Sequence, residues 1–419
     1  MTTMEYLNFD LEIERADQGY RVESDSPVGQ ACAGFSLPFS HEELECVLQQ
    51  RGEADAASID SARAFGKRLF ETVFEGELRA SLRGSLHEVE RQGMGLRIRL
   101  RLNDAPELAR LPWEYLYDPT LDRYLALSAQ TPLVRYLELP ERIQSLAVTP
   151  PLRILVVMSS PKDQAPINVA TEWTRLRTAL QELEDRSLVV LGQVPATLTA
   201  LQSQLRSGVY HAVHFIGHGD FDEQTQDGLL LFEDEEGYSD RVSSQDLGLL
   251  LHDHRSLRLV LLNACEGART SCTDPFAGVA QCLVRQGLPA VIAMQFTVTC
   301  EAAVMLAQAF YSALADGYPV DAALAEARKA LCTQGARDEW GTPVLYMRAP
   351  DGQLFDLEPV IPVAGGTELQ QNATDVSLSG TESAEHVPRR MFCSSLSSRR
   401  QAAPRVRRLR TRACVQAAV

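Results

Sequence analysis

Between residues 152 and 348, short apolar runs alternate with amphipathic helical patterns, and this alternation limits the folds that the chain can adopt. The run Leu152–Met158 is followed by helical spacing from Trp173 to Leu183 and then by the run Leu188–Val194. Strands that alternate with helices pair in parallel, and helices then cover both faces of the sheet. The sequence therefore predicts an α/β fold, a three-layer sandwich with a mostly parallel sheet. Further strands are predicted at 209–216, 257–262, 290–296 and 344–348, and further helices at 197–205, 275–286, 301–314 and 320–332.

Two of these apolar runs lead to side chains that can do chemistry. His218 follows the run Val209–Ile216, and Cys265 follows Leu257–Leu262. In open parallel sheets, ligands bind beyond the carboxyl ends of the strands. We expect the thiol and the imidazole to meet there, where a neighbouring imidazole favours the thiolate. A single cysteine is more often a buried structural residue, so the strand-end position is what favours a nucleophile at Cys265.

Glycines flank the histidine, and other histidines lack that setting. Gly217 and Gly219 would let the backbone approach a substrate closely and adopt positive φ. The backbone N–H groups of Gly219 and Cys265 are candidates for an oxyanion hole. His211 and His214 lie earlier in the same run and are predicted to be core residues.

Composition indicates a soluble globular protein in a reducing compartment. The chain has 45% hydrophobic and 23% charged residues, and no apolar stretch approaches the 18 residues that suggest a membrane span. The start lacks a basic segment followed by an apolar one, and the nine cysteines are scattered. We therefore expect a cytoplasmic protein without membrane contact. The net charge of −16 disfavours general nucleic-acid binding.

The chain divides into three predicted regions: an N-terminal α+β region (1–140), the alternating domain (150–357) and a disordered Arg-rich tail (358–419). The N-terminal region is predicted to contain a strand pair at 7–14 and 20–23 and one helix at 59–82. The alternating strand Leu96–Leu102 would carry Arg97, Arg99 and Arg101 on a solvated face. Residues 137–151 are predicted to be a linker. The tail holds nine arginines after residue 388 and could contact nucleic acid or an acidic partner, or have no function.

Four ordered motifs in the alternating domain resemble the CHAT domain, a bacterial relative of caspases and separases. They are His214-Phe-Ile-Gly-His-Gly219, Asn263-Ala-Cys-Glu-Gly267, Gly287-Leu-Pro-Ala-Val-Ile-Ala-Met-Gln295 and Ala323-Leu-Ala-Glu-Ala-Arg328. Upstream, Leu111-Pro-Trp-Glu-Tyr-Leu-Tyr117 and Thr131-Pro-Leu-Val-Arg135 are similar to the region that often precedes these motifs in the family. The spacing of 47 residues between His218 and Cys265 is also of the caspase type.

The resemblance implies a caspase-like cysteine endopeptidase, with His218 as general base and Cys265 as nucleophile, acting through a thioester without a cofactor or metal. No convincing third catalytic member is evident. Candidates for the substrate pocket are Asp220, Asn263, Gln295 and Cys300. Metacaspases carry an acid at the position of Asn263, so the sequence gives no support for an Arg- or Lys-selective pocket.

Several alternatives remain open at this stage. Nine acids between Asp220 and Asp240 could attract a basic substrate or bind calcium, but a solvated hairpin is favoured. The expected partners are a protein substrate and an activating protein, in bacterial signalling or defence, because the short segment after Cys265 argues against activation by cleavage there. The alternative function is a non-catalytic CHAT scaffold or interaction module. A nucleotide-binding domain is disfavoured, since Ser159-Ser-Pro161 replaces a Gly-rich loop after the first strand of the alternating domain.

Overall fold

A sheet of 13 strands runs through both the N-terminal and the alternating regions. The structure is a computed structural model that describes residues 4–40, 43–44, 56–140, 143–222, 224–225, 227–269, 275–336 and 339–358, without the side chains of residues 56–60, 264–269 and 275. The predicted tail therefore lies almost wholly outside the described residues.

The strands are β1 (Tyr6–Arg15), β2 (Tyr20–Ser26), β3 (Gly29–Phe35), β4 (Gly95–Arg101), β5 (Tyr117–Asp118), β6 (Arg123–Tyr124), β7 (Leu133–Tyr136), β8 (Leu146–Val148), β9 (Leu152–Met158), β10 (Val189–Val194), β11 (Ala212–Asp222), β12 (Asp227–Glu233), β13 (Ser239–Ser243), β14 (Leu259–Arg269), β15 (Ala290–Met294), β16 (Pro343–Met347) and β17 (Phe355–Leu357). The helices are α1 (Ala56–Val73), α2 (Gly76–Gln92), α3 (Val169–Asp185), α4 (Leu198–Ser207), α5 (Ser244–His252), α6 (Pro275–Arg285), α7 (Cys300–Ala315) and α8 (Val320–Gln334).

The strand order of the large sheet is β10-β9-β11-β14-β15-β16-β7-β4-β1-β2-β3, and β12 and β13 branch from β11. Strands β10, β9, β11, β14 and β15 are parallel, as are β16, β7, β4 and β1. The two parallel groups meet at the antiparallel pair β15–β16. The other edge of β16 pairs with β7 of the N-terminal region, so the sheet continues beyond the alternating domain.

The middle of the sheet is buried on both faces. Every residue of β15 and β16 is buried, as are the first eight of β11. Successive strand residues point to opposite faces, so burial of all of them requires cover on both sides. This confirms the predicted three-layer α/β architecture with a mostly parallel sheet.

Local signals account for several element ends. Thr197, Asn168 and Thr299 each accept a hydrogen bond from a backbone N–H in the first turn of α4, α3 and α7, as N-cap residues do. The predicted helix at 59–82 is two helices, α1 and α2. They separate around Gly76, whose φ of +52° suits glycine and interrupts a regular helix.

The arginine face of β4 is not solvated as expected. In the parallel pairing of β1 with β4, Asp10 lies opposite Arg99 and Glu12 opposite Arg101, and both pairs form ion pairs. Arg97 is 1% exposed, and its Nε donates to Asp321 Oδ2 of α8 at 2.5 Å. The opposing acids belong to a distant strand and helix, so alternation within β4 alone gave no sign of them.

The predicted linker is not free of regular structure. The segment 137–151, predicted as a linker, contains β8, which pairs in parallel with β17.

In the part of the chain that the structure describes, no helix is both long enough and apolar enough to cross a membrane.

Candidate active site

Strands β11 and β14 bring the two dyad candidates to neighbouring backbone positions. They pair in parallel up to Gly217 opposite Ala264, after which the register jumps and Gly219 lies opposite Arg269. His218 and Cys265 directly follow the Gly217–Ala264 pair, and adjacent strands lie about 4.8 Å apart. The backbone of Cys265 belongs to β14, but its side chain lies outside the described residues.

His218 lies within β11 rather than beyond its end. The sequence predicted a strand that stops at Ile216, but β11 continues to Asp222 because β12 pairs with it antiparallel, with His218 opposite Leu231. After Gly217, β11 therefore has β12 as an antiparallel neighbour, and its parallel pairing becomes irregular. This hairpin is formed by apolar residues of β12, whose role as a sheet strand was not predicted.

The imidazole of His218 is held by a backbone carbonyl. The residue is 2% exposed, and its Nε2 lies 2.8 Å from the carbonyl oxygen of Ala165. A carbonyl only accepts hydrogen bonds, so this contact assigns the proton of the neutral imidazole to Nε2 and makes Nδ1 the basic nitrogen. Sequence reasoning missed Ala165, because any residue type can supply a carbonyl and nothing in the motif marks it.

The glycine before His218 allows close packing and not a positive φ. Gly217 lies in extended β11, and its φ is not positive. A Cβ there would lie 2.7 Å from Phe215 Cζ and 3.2 Å from Ser159 Cβ. The buried Ser159 in turn donates its hydroxyl to the carbonyl oxygen of Leu231 at 2.7 Å. Small residues at 159 and 217 thus let β9, β11 and β12 pack tightly around the histidine.

Besides His218 and Cys265, three candidate site residues lie on β11 and β14. Gly219 lies opposite Leu230 of β12. Asn263 is buried, and its Oδ1 has no hydrogen-bond partner among the described residues. Asp220 pairs with Arg241 of β13, which compensates its charge. Of these, Asn263 lies two residues before Cys265, and its Oδ1 is the atom without a partner in the described part of the chain.

The other two pocket candidates flank the connection from β15 to α7. Gln295 is buried, and its Nε2 donates to Glu114 Oε2 at 3.0 Å and to the carbonyl oxygen of Gly341 at 2.7 Å. Cys300 is half-buried at the start of α7. Burial, together with a hydrogen bond to Glu172, raises the pKa of its thiol to about 11. This thiol is therefore protonated at neutral pH.

The earlier histidines are core residues, as predicted. His214 is buried, and burial lowers its pKa to about 3. His211 accepts a hydrogen bond from the backbone N–H of Arg153 at 2.9 Å, and burial followed by the charge of Arg153 lowers its pKa to about 4. Both imidazoles are neutral at pH 7 in the folded protein.

The acidic segment forms the β12–β13 hairpin. Among the described residues, the one group of acids, histidines or cysteines close enough to share a metal ion is Glu12, Glu14 and Asp104, in the N-terminal region. The structure therefore gives no support for calcium at the hairpin from the acids that it describes.

Comparisons with known proteins provide a family and several distant structural similarities. No curated protein matches the chain. A Saccharomyces cerevisiae separase in complex with securin is 10% identical, with a TM-score of 0.44 over 81% of this chain and 30% of the separase chain. The Arg-specific cysteine proteinase gingipain R (RgpB) of Porphyromonas gingivalis is 11% identical, with a TM-score of 0.41 over 75% of this chain and 74% of that chain. The Drosophila initiator caspase Dronc is 14% identical, with a TM-score of 0.31 over 54% of this chain and 96% of that chain.

The chain thus spans less than a third of the separase that it resembles. The model of the CHAT domain matches residues 63–386, a range that includes all the motifs quoted above and both dyad candidates. With that match covering most of its length, the chain belongs to the CHAT domain family.

Proposed function

We propose that this protein is a cysteine endopeptidase in which Cys265 is the nucleophile and His218 the general base. The observation that carries the proposal is the parallel pairing of Gly217 with Ala264, next to a histidine whose Nε2 faces the Ala165 carbonyl. The two chemical groups start from adjacent backbone positions, and the histidine has the tautomer that a base requires.

In the proposed reaction, His218 Nδ1 takes the proton of the Cys265 thiol as sulfur attacks the peptide carbonyl carbon. The developing oxyanion accepts hydrogen bonds from the backbone N–H groups of Gly219 and Cys265. The imidazolium then donates its proton to the leaving amine, and a thioester remains. Water attacks the thioester with His218 again as base, which releases the acid and restores the thiol.

The Ala165 carbonyl stabilises the imidazolium that forms in the first step. A hydrogen bond to a charged donor is stronger than one between neutral groups, so the contact gains strength as the proton arrives. Substrate side chains would meet Asp220, Asn263 and Cys300. Gln295, whose side-chain amide is already hydrogen-bonded to Glu114 and to the Gly341 carbonyl, would support the wall of this pocket. The buried Oδ1 of Asn263 would accept a hydrogen bond from a polar substrate group, in line with its lack of a partner among the described residues.

The full proposal places the peptidase in residues 150–357, in the cytoplasm of a bacterium, with a protein substrate and activation by a protein partner. An activated sample should keep its intact mass, because activation by a binding partner breaks no peptide bond between residues 266 and 275. A cut in that segment in the active enzyme would refute activation by a partner alone.

The test is labelling with biotinylated peptidyl acyloxymethyl ketones that differ in the residue next to the warhead, with labelled sites mapped by mass spectrometry. We expect labelling at Cys265 to be lost in Cys265→Ala and His218→Ala, which should retain the wild-type circular dichroism spectrum. Cys282→Ala serves as the matched control and should label like the wild type. Equal labelling of wild type and Cys265→Ala would refute the peptidase and favour the non-catalytic scaffold.

A further inference from the structure

The family motifs contribute four polar side chains to one buried cluster that the proposed chemistry does not use. Glu114 comes from the Pro-Trp-Glu motif, Arg135 from Pro-Leu-Val-Arg, Gln295 from the end of β15 and Arg328 from α8. All four are buried. Polar groups are retained in a core only when they are hydrogen-bonded, so the partners of this set indicate what it holds.

Glu114 and Arg135 form the centre of the cluster. Arg135 Nη2 lies 2.9 Å from Glu114 Oε2, and Arg135 Nε lies 3.4 Å from Glu114 Oε1, so the guanidinium meets both carboxylate oxygens. Arg135 also donates to the carbonyl oxygens of Ala109 and Leu111. The pair is thereby anchored to the segment that leads into the Pro-Trp-Glu motif. A buried pair of this kind fixes geometry more than it adds stability.

Gln295 bridges this pair to the segment before β16. Its Nε2 donates to Glu114 at 3.0 Å and to the Gly341 carbonyl at 2.7 Å, and its Oε1 accepts from Arg135 at 3.3 Å. Its backbone N–H also donates to the Thr342 carbonyl. Both ends of the side-chain amide and the main chain at residue 295 are therefore fixed.

Arg328 holds the same segment from the opposite helix. Its Nη2 donates to the carbonyl oxygen of Pro343 at 2.7 Å. Burial lowers the pKa of Arg328 to about 10, while the negative charge of Glu114 opposes this decrease and Arg135 adds to it. The charge of the one carboxylate therefore acts on two buried guanidinium groups.

The cluster fixes one end of the connection from β15 to α7, and a second contact fixes the other end. The backbone N–H and hydroxyl of Thr299 both donate to Glu339, at 2.6 and 2.9 Å. Phe296 and Val298 between them are buried. Residues 295–299 are thus anchored by Glu114 and Arg135 at the start and by Glu339 at the end.

These residues lie at the chemical edge of the sheet. β15 pairs in parallel with β14, with Ala293 opposite Leu262. The carboxyl end of β15 therefore lies beside Leu262 of β14, three residues before Cys265, and substrates of parallel sheets bind at this edge. A peptide that reaches Cys265 must pass along this edge.

We propose that Glu114, Arg135 and Gln295 are positioning residues that hold residues 295–299 in the shape that admits a peptide to Cys265. This role rests on the proposed peptidase function. Through Glu114 and Arg135, the N-terminal region would take part in substrate alignment. In this role the three side chains act through residues 295–299 rather than on the reacting atoms. Displacing a substrate wall by about 1 Å can lower the rate of reaction with an aligned substrate as much as 10²-fold.

The test compares two reagents that modify the same sulfur in Gln295→Met. Methionine has a similar length but makes none of the amide hydrogen bonds, and it leaves the Glu114–Arg135 pair intact. Iodoacetamide needs only the thiolate, whereas a peptidyl acyloxymethyl ketone must also fit the groove. We expect the rate of the peptidyl reagent at Cys265 to fall at least about tenfold, and the iodoacetamide rate to stay within about twofold of wild type, as the thiolate chemistry of Cys265 is unaltered.

Gln204→Met is the matched control, since Gln204 of α4 is a part-buried glutamine that donates to the Tyr210 hydroxyl away from this edge. It should leave both rates unchanged. Equal slowing of both reagents in folded Gln295→Met, or no slowing of either, would overturn the positioning role while the peptidase assignment stands. Wild-type protein that reacts with neither reagent at Cys265 would overturn both proposals.

Discussion

The Nε2 atom of His218 lies 2.8 Å from the carbonyl oxygen of Ala165, so the proton of the neutral imidazole is on Nε2. This tautomer makes Nδ1 the proton acceptor. The contact also orients the ring through a backbone group, as the proposed dyad requires.

The first prediction concerns the dependence of Cys265 on this base. His218→Ala should slow alkylation of Cys265 by iodoacetamide at pH 7 by about 10²-fold, the usual size of general-base assistance. The difference should shrink above about pH 9, where a thiol with the ordinary pKa ionises unaided. Mass spectrometry of the Cys265 peptide against time and pH measures both effects. His254→Ala is the control and should keep wild-type rates, and equal rates for wild type and His218→Ala at pH 7 would contradict the role of His218.

A second prediction concerns Cys300. Burial and the hydrogen bond to Glu172 raise its pKa to about 11, so about one thiol in a thousand is ionised at pH 8. Its alkylation should be about a hundredfold slower than that of a cysteine in a short unfolded peptide. Glu172→Gln removes the negative charge and should increase the rate several-fold. If Cys300 reacts as fast as the cysteine of the peptide, its pKa is not raised as described.

The buried His214 should make stability depend on pH. Its pKa is about 3 in the folded protein, where burial disfavours the charged form, and about 6.5 in the unfolded chain. Between these values the unfolded chain binds the extra proton, so stability is full above pH 6.5 and falls as pH decreases, by about 1.4 kcal/mol per unit. His214→Phe should remove about 2 kcal/mol of the loss between pH 7 and 5. Urea unfolding at both pH values measures this effect. Val213→Ala should instead destabilise equally at both.

Two helical glycines differ in whether an added methyl group has room. At Gly66 of α1 a Cβ would lie 1.7 Å from the backbone oxygen of Tyr115, whereas at Gly84 of α2 the nearest atom is Val28 Cγ2 at 3.3 Å. Gly66→Ala should cost about 3 kcal/mol or more, since backbone must move. Gly84→Ala should be neutral or stabilise by up to about 1 kcal/mol through helix propensity. Thermal and urea unfolding of the pair test this, and equal stabilities would contradict the close approach of α1 to Tyr115.

Much of the fold could be predicted from local patterns. Periodicity predicted most of the strands and helices from Leu152 to Met347 but not β12, β13 or α5, and Thr197 marked the start of α4. Pairing between distant segments could not be predicted in the same way. The partners of Arg97, Arg99 and Arg101 come from α8 and β1, and no pattern within β4 specifies them.

The candidate site shows the same division. His218 and Cys265 were evident because rare side chains follow apolar runs at a characteristic spacing. The Ala165 carbonyl was not evident, since its role depends on the path of the backbone rather than on residue type. The cluster of Glu114, Arg135 and Gln295 assembles three motifs that are far apart in the chain, so their sequence resemblance was visible but their contact was not.

The pairing of β16 with β7 has a practical consequence for shortened versions of the protein. A fragment that begins near residue 150 would lack β7. The edge of β16 that pairs with β7 would then have no strand partner, although every residue of β16 is buried in the whole chain. Open strand edges of this kind recruit other chains. We expect such fragments to aggregate on expression, and fragments that retain residues from β1 onward to remain monodisperse.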